Sequence, residues 1–206
     1  MKPIAALLLL TACLLTGCGE TPPAGETSPA EEVESPMTEQ TVLAAYAEAA
    51  RVYDWFDLCS IPTGIEAIQT DGNIYYPVEE PGIETMADLE AKVRSCFTPD
   101  LSEEILARGE NYRDIDGKLW CASAARGSNL FLLDKTVTAD QTDETHWTVT
   151  LTFWADFTDT TPEGTPTATA GYSTAVLDYE KTDEGWRFAT FCSSDGLDLD
   201  ADTVFT

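Results

Sequence analysis

The side chains that could carry chemistry in this chain are few, and their setting weakens most of them. His146 is the single histidine of the 206 residues. Any Ser-His-Asp or Cys-His arrangement would have to be built around it. Only Thr145 separates it from the acidic pair Asp143-Glu144, a turn-like setting that suits a surface strand residue better than a general base. Asp54 and Asp57 flank Trp55-Phe56. Two carboxylates beside aromatic rings would suit glycoside hydrolysis, one as acid and one as base or nucleophile. They suit equally a helix end with a polar outer side and a buried aromatic, and acidic residues are so abundant here that no pair stands out. Asp198, Asp200 and Asp202 have the spacing of the first ligands of a calcium loop, without the glycine at the sixth position or the distal glutamate. The alternation reads better as a strand with Leu197, Leu199 and Ala201 inward. Gly-x-Ser-x-Gly, a phosphate loop and a Gly-x-Gly-x-x-Gly turn are all missing from the sequence. No cofactor and no metal is expected, and the chain reads as a binding protein rather than an enzyme.

Charge is the stronger signal. Asp and Glu number 37 against 11 Lys and Arg, for a formal net charge of −26. Such a surface repels phosphate backbones and anionic head groups, which argues against nucleic acid as a partner. A basic protein surface is its natural complement, although solubility alone would account for much of the excess. Asp54, Trp55, Asp57, Asp114 and Asp116 are the expected partner-binding residues, the acids steering and the aromatic anchoring. Arg126, in the run Ala124-Ala125-Arg126-Gly127-Ser128, is expected to form a structural ion pair with a carboxylate such as Asp114 or Asp54.

The N-terminus reads as a targeting segment. Lys2 precedes an apolar run over residues 4–15, too short to span a bilayer, which ends in Leu15-Thr16-Gly17-Cys18. This resembles the lipobox of bacterial lipoproteins. The resemblance implies cleavage of residues 1–17 and a diacylglycerol on Cys18, holding the mature chain on the outer face of the cell membrane, in the Gram-positive manner. Two acyl chains suffice for stable anchoring. Residues 18–38, rich in Pro, Glu, Ser and Thr, read as a disordered tether. One domain is then expected over residues 39–206.

Within it, Val42, Ala45, Tyr46, Ala49, Val52, Tyr53 and Phe56 recur at helical spacing, predicting a helix over residues 39–58 capped by Thr38 or Thr41. Asp71-Gly72 and Asp116-Gly117, each between apolar runs, predict two hairpins. Thr85 should open a helix to Cys96, and Pro99 a shorter one ended by Gly109. Long strands are expected over residues 129–139, 146–157, 170–179 and 186–192. The plan is α+β, with N-terminal helices packed on a curved antiparallel β-sheet. Cys59, Cys96, Cys121 and Cys192 allow three disulfide pairings or free thiols. Wide spacing without a companion histidine argues against zinc.

The segments "CFTPDLSEEIL", "YRDIDGKLW", "HWTVTLTFWADF" and "VLDYEKTDEGWRFATF" together resemble the nuclear transport factor 2-like (cystatin-like) scaffold. "AAYAEAARVYDWFDLCSIP", Tyr75-Tyr76-Pro77-Val78 and Ala125-Arg126-Gly127 are similar to the IseA-like family of exported Gram-positive proteins. That resemblance implies inhibition of peptidoglycan D,L-endopeptidases, an acidic surface covering a basic catalytic cleft. The lipobox departs from a freely secreted inhibitor and would confine the chain to hydrolases near the membrane. The alternative is a cone-shaped domain enclosing a small molecule or peptidoglycan fragment.

Overall fold

The computed structural model describes residues 36–122, 130–156 and 170–192. Cys18 and the lipobox, most of the tether, Arg126 and the aspartate run at residues 198–202 lie outside the described residues.

Helix α1 (Glu39–Asp57) starts where expected: the Thr38 hydroxyl accepts from the Thr41 amide at 3.2 Å. It stops where Cys59 turns to a left-handed φ of 52° and Pro62 follows. Strands β1 (Ile68–Thr70) and β2 (Asn73–Pro77) form the first hairpin. Helix α2 (Met86–Cys96) carries a reciprocal cap, with the Thr85 hydroxyl on the Asp88 amide and the Asp88 carboxylate on the Thr85 amide. Helix α3 (Pro99–Leu106) begins on Pro99, whose missing N–H needs no partner there. A short 3₁₀ turn, Gly109–Asn111, leads into β3 (Tyr112–Ile115) and β4 (Lys118–Ala122). The remaining strands are β5 (Leu132–Gln141), β6 (His146–Asp156), β7 (Ala170–Thr182) and β8 (Gly185–Phe188).

Both hairpin tips are two-residue turns with φ positive at each centre: 52° and 84° at Asp71 and Gly72, 55° and 78° at Asp116 and Gly117. That is the mirror-image turn whose twist matches paired strands, and it explains the Asp-Gly sequence at both.

The α+β plan holds, with helices packed on a curved sheet. The strands, however, divide into two antiparallel four-stranded sheets, ordered β1-β2-β4-β3 and β5-β6-β7-β8. The second hairpin is not part of the sheet formed by the long strands. It joins the first, Tyr75 opposite Ala122 and Tyr76 opposite Cys121. Each hairpin alone would leave two open edges; joining β2 to β4 removes one from each. Pro77 sits at the end of its strand, where a missing donor is tolerated.

The core lies between α1 and the inner face of the second sheet. Val42, Tyr46, Ala49, Val52 and Tyr53 of the helix share it with Trp147, Val149, Leu151 and Phe153, which alternate along β6 as the sequence predicts. Phe97, Phe188 and Phe191 close one end, with ring centroids 5.1–5.2 Å apart across Phe191. Phe191 turns into this cluster instead of extending β8, so the last strand stops three residues after Gly185. No described helix is long and apolar enough to cross a membrane.

Candidate functional site

The five residues expected to bind a partner fall on two elements. Asp54, Trp55 and Asp57 occupy the last turn of α1; Asp114 lies on β3 and Asp116 at the β3–β4 tip. The elements themselves are fastened together. The Tyr112 hydroxyl donates to the Trp55 carbonyl at 2.7 Å, and the Tyr112 and Phe56 rings lie 5.3 Å apart.

The side chains do not share one exposed face. Trp55 is only 1% exposed. A partner could not reach its ring without opening the core, so it does not act as the surface anchor expected from sequence. α1 is buried over a wide arc because the second sheet, α2, α3 and the Tyr112 hairpin all pack around it. Asp54 has one carboxylate oxygen sealed from solvent. Asp57 is held by Arg108 at 3.0 Å, and the same guanidinium donates to the Tyr53 hydroxyl and lies 4.9 Å from its ring.

Asp114 and Asp116 are exposed. An Asp114 carboxylate oxygen accepts from the Gly117 amide at 2.9 Å, which locks the tip from within. The loop before α2 runs beside this hairpin: the Val78 amide donates to the Leu119 carbonyl at 3.0 Å, and the Leu119 amide to that of Glu84 at 2.8 Å. Exposed Glu79 and Glu84 are therefore carried alongside the start of β4. The Glu79-Glu80-Pro81-Gly82 run marks an acid-rich turn after a strand, but its place beside β4 rests on bonds to Leu119, distant in sequence. Two exposed cations share the hairpin, Lys118 at the tip and Arg113 on β3, the latter paired with Asp71. The result is a hairpin tip carrying exposed acids, held by backbone hydrogen bonds and a two-residue turn.

His146 begins β6 and is exposed. Its Nδ1 lies 3.0 Å from the Asp143 carboxylate and 2.9 Å from the Thr145 hydroxyl, while Nε2 faces Glu180 at 3.8 Å. The Thr145 hydroxyl and the Asp143 carboxylate address the same ring nitrogen, and Glu180, at 3.8 Å from the other, is beyond hydrogen-bond distance, so the close contacts of His146 lock a turn. The Thr145 amide, then its hydroxyl, then His146 hold the Asp143 carboxyl down at about 2.

Among the described residues, Cys59, Cys96, Cys121 and Cys192 form no disulfide with one another. Burial first, and Cys59 second, push the Cys121 thiol up to about 12. Asn111 Nδ2 donates to Cys59 Sγ at 3.0 Å. Among the described residues no group of three or more His, Cys, Asp or Glu is arranged to hold a metal.

No family model and no curated protein matches the chain.

Proposed function

We propose that this chain is a lipid-anchored, extracytoplasmic acidic binding protein that inhibits or modulates a peptidoglycan D,L-endopeptidase. Cys18 carries the lipid, and the tether lifts the domain toward basic cell-wall hydrolases near the membrane. The β3–β4 tip is the element that enters the partner's cleft. The single observation behind this reading is the exposed pair Asp114, near the end of β3, and Asp116, on a turn with positive φ that the Asp114–Gly117 hydrogen bond locks. A pre-organised protrusion loses little entropy on binding, and its charge speeds the approach of a basic surface. The resemblance to IseA-like proteins and the net charge of −26 point the same way.

The alternative, a ligand enclosed between helix and sheet, is less well served. Val42, Val52, Val149 and Leu151 fill that interval at 0% exposure.

The test is to add the full-length lipoprotein, in detergent micelles, to a D,L-endopeptidase digesting purified cell wall. Hydrolysis should slow as the chain approaches stoichiometry. Unchanged hydrolysis at a large molar excess over every such enzyme tried would refute the proposal.

A further inference from the structure

Carboxylates take up the other described arginines. Arg51 meets Glu48 and Glu80, Arg94 meets Glu103, Arg108 meets Asp57 and Arg113 meets Asp71. Arg187 is held differently. Its Nε donates to the Arg94 carbonyl at 2.9 Å, Nη1 to the Trp186 carbonyl at 2.8 Å and Nη2 to the Glu184 carbonyl at 2.9 Å. None of the ion pairs among the described residues includes it. Three neutral carbonyls thus fix the plane of the guanidinium without a direct ion pair, with two of its five N–H groups still to be used.

This fixed cation lines a cleft of about 340 Å³ between the α2–α3 junction and the β7–β8 turn. Arg94 stands beside it, Phe97 and Pro99 give an apolar wall, and Asp183 and Glu184 bring two carboxylates from the turn. Gly185 keeps the space clear. Its φ is 106°, and a Cβ there would stand 3.3 Å from Arg187 Nη1.

We propose that this cleft binds the free carboxylate end of a short peptide. The guanidinium of Arg187 takes the carboxylate through its two remaining N–H groups, while Arg94, paired with Glu103, offsets that acid beside the cleft. The acids of the turn accept the N–H groups of the peptide, and Pro99 and Phe97 take its side chain. The volume, at the low end for a ligand site, fits one or two residues. A phosphate dianion matches the cleft less well, because Asp183 and Glu184 repel its two charges more strongly than the single charge of a carboxylate. The site shares no residue with the β3–β4 tip and does not depend on the function proposed above.

The experiment titrates the full-length chain in micelles with acetyl-alanyl-alanine, its C-terminal amide and inorganic phosphate. It follows the side-chain Nε–H resonance of Arg187 by NMR, assigned by its loss in Arg187→Lys. The free acid should shift this resonance saturably, the amide should bind at least about tenfold more weakly, and phosphate should not saturate. Arg187→Lys, which keeps charge but not the fork, should weaken the acid about tenfold. Arg94→Gln leaves intact the carbonyl that holds Arg187, and should still weaken the acid about threefold. Equal binding of acid and amide, tighter binding of phosphate, or no shift from the acid at about 20 mM would overturn the proposal.

Discussion

The Tyr112 hydroxyl donates to the main-chain carbonyl of Trp55 at 2.7 Å, in a place where both residues are buried. Trp55 lies in the last turn of α1, where carbonyls lack an intrahelical donor. One side chain therefore completes the helix end and fixes the acidic hairpin to it. Burial raises the Tyr112 hydroxyl well above its ordinary value, so it stays a donor at any physiological pH.

Removing only that hydroxyl leaves a buried acceptor without its donor. Tyr112→Phe should lower stability by about 1–2 kcal/mol, measured by chemical denaturation. A variant as stable as the parent would mean that water or another donor takes over the Trp55 carbonyl.

The hairpin tip separates charge from shape. Asp114→Asn keeps a side-chain oxygen to accept from the Gly117 amide, and Asp116→Asn tolerates a positive φ, so the doubly substituted chain should fold with stability within about 0.5 kcal/mol of the parent. Gly117→Ala acts the other way. A Cβ there meets nothing within 4 Å, yet φ is 78°, so a purely conformational loss of about 1 kcal/mol is expected. Both are read from thermal melts.

Acid should loosen the contact of α1 with α2. Hydrogen bonds from Arg51, and then from Lys92, hold the Glu48 carboxyl down at about 2, against an ordinary value of 4.5. Arg51 is shared with Glu80. A depressed carboxyl stabilises the fold above its unfolded value and loses that contribution as pH falls from about 4.5 toward 2. The side chain is 39% exposed, so solvent screening limits the effect to about 1 kcal/mol or less. Glu48→Gln should be less stable than the parent at pH 7 and equal to it near pH 2. A difference that persists unchanged at low pH would show that packing, not charge, is responsible.

Cys121 should resist alkylation. Its thiol is buried and pushed up to about 12, so little thiolate exists at pH 8. Iodoacetamide footprinting by mass spectrometry should leave Cys121 unmodified until denaturant is added. Labelling as fast as an unfolded control would contradict the packing of β4.

Local chemistry made much of the fold legible. Thr38, Thr85 with Asp88, and Pro99 mark the starts of three helices, both Asp-Gly pairs mark turns, and alternation along residues 147–153 gives the inward face of β6. What escaped depends on partners distant in sequence. The pairing of β2 with β4 is settled by which edges remain open after each hairpin forms. Trp55 looks like a surface aromatic between two acids, yet its side chain is buried in the core and its carbonyl is held by Tyr112, 57 residues away. The carbonyl that orients Arg187 lies 93 residues before it. Of the candidate site, Asp114 and Asp116 were readable as exposed turn acids. Glu79 and Glu84 were not, since only the bonds to Leu119 bring their loop alongside.

The central claim is that fixed acids on the β3–β4 tip steer the chain onto a basic partner. Its most direct test is the association rate with a D,L-endopeptidase, measured by stopped-flow at low and high salt for the parent and the Asp114→Asn, Asp116→Asn chain. The parent should associate at least about tenfold faster at low salt than at high salt, and the substituted chain should lose most of that advantage. Rates that ignore salt, or that are the same in both chains, would contradict the account.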